Sequence, residues 1–186
     1  HYTASELMID LVHLARFTGA RLILGHAAGL DRAARRVHVP GRADVVYDLL
    51  SIDIGITTEP ADLPGFADFG VAAKPLERFA SRWQQFVSDV AQGQAAPQVV
   101  IIGGGLAGVE LALAAHHRLT KAQPTLRPTI TLLEASPTPL SAVGAATRAA
   151  LFGQLSAAGI DLVANARVAQ VEKTGVICAD GRQWPS

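Results

Sequence analysis

Apolar residues recur at helical spacing in SELMIDLVHLARFT (5–18), where Leu7, Leu11, Leu14 and Ala15 share one face. Ser5 is placed to cap this helix and Gly19 to stop it. ARLILGHA (20–27) reads as a strand, followed by a turn at Gly29-Leu30-Asp31. The alternation in RRVHVPGRADVVYDLLSIDIG predicts two antiparallel strands around Pro40-Gly41, the second running into 49–54. TTEPADLPGFADFG (57–70) has two prolines, two glycines and little periodicity, so it is expected to be a linker. KPLERFASRWQQFVSDVAQG then gives a helix with Leu76, Phe79, Trp83, Phe86 and Val87 on one side.

From residue 98 the pattern changes. The apolar run VVII, a glycine turn, a helix AGVELALAAHHRL and a second strand TITLLE (129–134) form a βαβ unit. A helix at 144–157 and a strand at 160–164 follow. A hairpin near 167–172 and 175–178 comes last, turning at Lys173-Thr174-Gly175, with Asp180-Gly181 as a further turn. The fold class is therefore α/β, with a meander-rich N-terminal part and a Rossmann-like parallel sheet in the C-terminal part.

Composition narrows the function. At 186 residues, 49% hydrophobic and 17% charged, the chain is globular rather than disordered. Sixteen acidic and sixteen basic residues cancel, so no global field attracts nucleic acid. The single cysteine, Cys178, cannot form an internal disulfide and fits a reducing compartment. No apolar stretch approaches the roughly 20 residues of a membrane-spanning helix, and no signal-peptide pattern is visible. A cytoplasmic or membrane-peripheral location is expected. A chain opening HYTASELMIDL and closing GRQWPS is expected to be a piece of a longer protein.

The chemistry concentrates in QVVIIGGGLAGVE. Gly103, Gly105 and Gly108 satisfy G-x-G-x-x-G, a spacing that seventeen glycines can also produce by chance. Context raises its weight, because a strand precedes it, a helix follows it, and Glu134 closes the next strand. Gly103 permits the tight turn, Gly105 lets backbone approach a pyrophosphate, and Gly108 lets helix and strand pack closely. The helix N-terminus offers N–H groups to phosphates, and Glu134 accepts from ribose hydroxyls. A carboxylate there repels a 2′-phosphate, so NADH is favoured over NADPH. The separation from Gly108 to Glu134 exceeds the usual ~20 residues, and the loop KAQPTLRP absorbs the excess. No P-loop, HExxH or CxxC occurs, so no metal site is expected.

The order of these features resembles the FAD-dependent pyridine nucleotide–disulfide oxidoreductase superfamily, in which an NAD(P)H domain is inserted into an FAD domain. The motif Gly103-Gly104-Gly105-Leu106-Ala107-Gly108-Val109-Glu110 matches the family's GGGxxGxE. YDLLSIDIGITTEP (47–60) stands where the family has D-x-L-x-x-A-T-G-x-x-P, and LPG (63–65) matches its hPG. Within the superfamily, His1-Tyr2, YDLLSIDIG and AAKPLERFASRW resemble the type II NADH dehydrogenase-like group, in particular its module fused to selenide, water dikinase. Two departures stand out. The family's own FAD G-x-G-x-x-G is not found among these residues, and its ATG reads Asp53-Ile54-Gly55.

The resemblance implies a partial FAD-binding lobe over 1–72 and an NAD(P)H-binding domain over 73–186, truncated at its C-terminal end. It implies hydride transfer from NADH to FAD and on to a quinone-like or other acceptor, in a parent that is a homodimer or a fusion to selenide, water dikinase. The 186 residues alone are expected to bind NADH, not to hold FAD tightly, and to be inactive. Glu110 is implied beside the nicotinamide, against the simpler reading of an exposed first-turn carboxylate. Gly55 and Lys74 are implied on the flavin side, and Lys74 is equally well read as a solvated lysine before Pro75. His1 and Tyr2 are expected to be disordered. His116 and His117 point about 100° apart on a helix and suit its C-terminal dipole rather than a metal. Cys178, Trp83 and Phe86 read as packing residues, and Arg35-Arg36 as a solvated charge pair. Two rival readings stay open: a flavin-free Rossmann dehydrogenase or methyltransferase, and a non-catalytic NADH-sensing module.

Overall fold

The computed structural model describes residues 8–54 and 62–186. The chain divides into two compact units, His1–Gly55 and Ile56–Ser186.

In the first unit, helix α1 (Leu11–Thr18) starts at Asp10, whose carboxylate accepts from the N–H groups of Val12 (2.8 Å) and His13 (3.1 Å). Asp10 thus satisfies orphan donors at this helix start, and Ser5, the expected cap, lies outside the described residues. Gly19 ends the helix in the left-handed region at φ 69° as predicted. Three short antiparallel strands follow: β1 (Gly29–Asp31), β2 (Arg36–His38) and β3 (Val45–Val46), in that order across the sheet. Three expectations are corrected here. Residues 20–27 form no strand, because β-propensity without a ladder partner does not make one. Gly29-Leu30-Asp31, read as a turn, is itself β1 and pairs with β2 in the register Leu30↔Val37. β2 and β3 do bracket Pro40-Gly41, but pairing stops at Val46 and 49–54 is not strand.

The second unit opens with a four-residue helix, α2 (Phe66–Phe69), where a linker was expected. Residues 62–70 are docked, since Leu63 and Phe66 pack against the buried cluster that includes Val171 and Val176. The Val171 N–H also donates to the Pro64 carbonyl at 2.9 Å. Helix α3 (Leu76–Ala91) follows the cis Lys74-Pro75 peptide. Along it Phe79 and Trp83 stack at 6.4 Å between ring centroids, and Trp83 meets Phe86 at 5.6 Å.

β4 (Gln98–Ile102), α4 (Leu106–Ala122), β5 (Thr129–Leu133), α5 (Ala145–Ala157) and β6 (Asp161–Val163) build the parallel sheet, in the order β4-β5-β6. Its central strand is buried from Ile130 to Leu133, as a parallel strand covered on both faces requires. Alternation divides the two faces. Val99, Ile101, Ile130, Leu132 and Leu162 join Trp83, Val109, Ala112 and Leu155 in a core under the helices. Val100, Leu133 and Val163 face the other way, onto an antiparallel sheet of β7 (Val168–Glu172), β8 (Gly175–Cys178) and β9 (Gln183–Pro185). The unit is thus helices, parallel sheet and antiparallel sheet in three layers, and the α/β class with a parallel sheet and an antiparallel meander holds. β9, which pairs Trp184 with Val176, was not foreseen.

Candidate functional site

β4 delivers the chain to Gly103, whose φ of +112° is closed to L side chains and whose N–H donates to the Leu133 carbonyl at 2.8 Å. A Cβ on Gly108 would overlap the Gly103 carbonyl and sit 3.2 Å from Leu132, so helix and strand approach only because that position is glycine. Gly104 has a reason of its own that the sequence did not reveal. A Cβ there would lie 2.6 Å from the Cβ of Glu134. Gly105 is the opposite case: a Cβ built on it meets nothing within 4 Å. Nothing in the fold itself forbids a side chain at Gly105, so the space its Cβ would fill is free for a ligand.

Gly105 is also the N-cap of α4, and no side chain caps that helix end. The N–H groups of Leu106, Ala107 and Gly108, the first turn, are therefore not capped by a side chain and carry the positive end of the helix dipole. Leu106 is exposed. The arrangement is an anion cradle of the kind that binds diphosphates.

Glu134 follows directly on β5 and stays in its ladder, its N–H donating to Val163 and its carbonyl accepting from Ala166. Its carboxylate spans two loops. Oε2 accepts from the Gly104 N–H at 2.7 Å and Oε1 from the Ser136 N–H at 2.7 Å. The Ser136 N–H above all, with the Gly104 N–H behind it, outweighs partial burial and holds this carboxyl below its ordinary pKa. Glu134 is ionised at neutral pH and aimed along the glycine turn. Each oxygen keeps a lone pair, which suits two hydroxyl donors such as a ribose diol.

A cavity of about 540 Å3 opens beside this carboxylate, within the usual size of small-molecule sites. Ile102, Gly103, Leu133, Glu134 and Ala135 line it from the parallel sheet, Ala166, Arg167, Val168 and Ala169 from the approach to β7, and Asp62 and Leu63 from the segment before α2. Sequence reasoning missed Asp62, Leu63 and Arg167. No linear signal could have found them, because long-range folding alone brings residues 62–63 and 166–169 to the end of β5.

The remaining expected residues stand elsewhere. Glu110 is exposed on α4 and does not line the cavity. It is the fifth residue of its helix, and no acidic residue occupies the first turn. That corrects its reading as a first-turn carboxylate, because the helix starts at Leu106 and the dipole fades beyond the first turn. Lys74 lies exposed just before α3 and does not line the cavity. Gly55, His1 and Tyr2 fall outside the described residues. His117 is exposed and His116 half-buried on α4, and no metal-binding cluster forms among the described residues. Burial in β8 pushes the Cys178 thiol pKa up, in keeping with an inert packing residue.

The glycine turn, the free space at Gly105 and the cavity at Glu134 fit the adenosine diphosphate half of NADH. The 186 residues contain one G-x-G-x-x-G.

Known proteins show which family the chain resembles. The pyridine nucleotide-disulphide oxidoreductase family matches residues 8–185. An NADH dehydrogenase-like protein of Mycobacterium tuberculosis is 28% identical over 171 residues, 89% of this chain and 42% of that protein. The ferredoxin–NAD(+) reductase component of the biphenyl dioxygenase system of Paraburkholderia xenovorans is 30% identical over 169 residues, 84% of this chain and 36% of its own length. The crystal structure of a ferredoxin reductase from Rhodopseudomonas palustris superposes with a TM-score of 0.76 at 20% identity, covering 98% of this chain and 43% of that one. The chain thus spans less than half the length of these relatives.

Proposed function

Because the chain belongs to the pyridine nucleotide-disulphide oxidoreductase family, we propose that its C-terminal unit is the NADH-binding part of a flavin-dependent oxidoreductase. The observation that carries this reading is the uncapped N-terminus of α4, open at Gly105 and faced by the ionised Glu134. The first-turn N–H groups hold the pyrophosphate, and Glu134 takes the adenosine ribose hydroxyls and disfavours a 2′-phosphate. Bound NADH supplies a hydride, and FAD in the longer parent accepts it.

Residues 73–186 are assigned to NADH and 1–72 to a flavin-side lobe, with 62–70 resting on the β7–β9 sheet. Glu110 is assigned to the nicotinamide end, and Gly55 and Lys74 to the flavin side. The names of the relatives, an NADH dehydrogenase-like protein and a ferredoxin–NAD(+) reductase, support an electron acceptor beyond the flavin, which we take to be quinone-like. The parent is proposed to act as a homodimer or a fusion protein, in the cytoplasm or at a membrane surface. No described helix is long and apolar enough to cross a membrane. A flavin-free dehydrogenase or methyltransferase does not suit the family.

Calorimetric titration with NADH and NADPH tests the reading. The chain should bind NADH at least tenfold more tightly than NADPH. Gly105→Ala should unfold at the wild-type temperature, since its Cβ meets nothing, yet lose NADH binding more than tenfold. Wild-type affinity in Gly105→Ala, or equal affinity for the two nucleotides, would sink it.

A further inference from the structure

We propose that Arg167 recognises the adenine ring, by laying its guanidinium on the purine face. The inference rests on the dinucleotide reading above and names a residue that the glycine motif does not include.

Arg167 lines the same cavity as Glu134, in the loop between β6 and β7. Ala135, Ala166, Val168 and Ala169 also line the cavity, short aliphatic side chains that leave room for a flat ring, and besides Glu134 only Asp62 brings a charged acceptor to it. Stacking and shape therefore carry most of the recognition in such a site.

The guanidinium is available for this. Among the described residues no hydrogen bond or ion pair engages it, and only the Arg167 carbonyl is used, accepting from the Ala179 N–H at 2.9 Å. Glu134 and Asp62 line the same cavity, and neither carboxylate pairs with the guanidinium: the oxygens of Glu134 reach the Gly104 and Ser136 N–H groups instead. Arg182 shows what a structural arginine looks like here. Its guanidinium grips Asp180, donates to the Asn165 carbonyl, and lies 5.3 Å over the Trp184 ring. An arginine that lines a cavity without such anchors has its planar cation free to meet a ligand, and a guanidinium on an aromatic face is a favourable pair.

Charge decides between the two groups that Arg167 could meet. Asp62 and Glu134 line the same cavity, so the three formal charges sum to one negative. A neutral purine is compatible with that balance, whereas a 2′-phosphate would add to the negative side.

The test is calorimetric titration of the chain and of its Arg167→Met and Arg167→Lys variants with NADH, NADPH and ADP-ribose. Arg167→Met keeps the length of the stem and removes the planar cation. It should weaken NADH and ADP-ribose alike by about fivefold, with the unfolding temperature unchanged. Arg167→Lys restores charge but not the plane, and should recover little of the loss. The assignment fails if Arg167→Met binds ADP-ribose as wild type does, or if Arg167→Lys recovers full affinity, which would make Arg167 a point charge for the pyrophosphate. It fails equally if the loss for NADPH exceeds that for NADH, which would make it a 2′-phosphate anchor. Wild-type binding of neither NADH nor ADP-ribose would instead overturn the dinucleotide reading, and the role of Arg167 with it.

Discussion

Glu134 is the residue on which local structure and proposed chemistry meet. It bridges the Gly104 and Ser136 N–H groups only as a carboxylate, and those hydrogen bonds lower its pKa below the ordinary 4.5. A group with a depressed folded pKa contributes stability that is complete above its unfolded value and drains away as the pH falls through the folded one. Glu134→Gln keeps one acceptor oxygen and loses the other, so at pH 7 it should cost about 1–2 kcal/mol. Denaturant unfolding of both proteins should show that gap narrowing below about pH 4.5 and closing once the pH has fallen through the lowered folded pKa. A gap that stays constant across this range would mean the charge is not what holds the glycine turn. The motif itself was legible at this scale: Gly103 and Gly108 have the turn and close-packing roles their spacing predicts. The need for glycine at 104 was not, because it comes from Glu134, thirty residues away in sequence.

Among elements, legibility followed pattern strength. VVII is a continuous apolar run and TITLL sets three apolar residues among threonines, and each became a strand of the parallel sheet in register Ile101↔Leu132. RLIL has three apolar residues too, yet it has no ladder among the described residues, and Leu24 is 87% exposed. β9 is three residues ending in proline, too short to read without its partner β8. The segment around α2 misled for another reason, since a docked turn and a linker share the same prolines and glycines. Its docking turns on Gly65, at φ +74°, where a Cβ would overlap the Val171 carbonyl. Gly93, at φ +71° with nothing within 4 Å of a Cβ, provides the control. Gly93→Ala should cost about 1 kcal/mol from backbone strain alone. Gly65→Ala should cost about 2 kcal/mol more, an extra fall of roughly 4–8 °C in the unfolding midpoint. Equal midpoints for the two variants would mean that 62–70 is not held against β7, and that Asp62 and Leu63 do not wall the cavity.

At the scale of the whole molecule the two units differ in kind. The C-terminal unit has three apolar clusters, with Leu119, Ile130, Leu132 and Leu133 at 1% exposure or less. In the N-terminal unit Val39 is the one buried side chain among the described residues, while Phe17, Leu24, Leu49 and Ile54 are each more than 85% exposed. Amphipathic α1 buries no residue, although its spacing predicted an inward face. A helix and a three-stranded meander with so little apolar burial gain little against their conformational entropy. Local opening should therefore be far easier there than in the sheet of β4, β5 and β6. Hydrogen exchange on the intact chain reads this directly. Amides of β1, β2 and β3 should exchange at least about a hundredfold faster than those of β4 and β5, and saturating NADH should slow the second set without slowing the first. Ligand protection confined to the C-terminal unit would place binding where Gly105 and Glu134 are. Equal protection in both sheets without ligand would show that the apolar face of α1 is covered in solution, and that the N-terminal unit is stable in its own right.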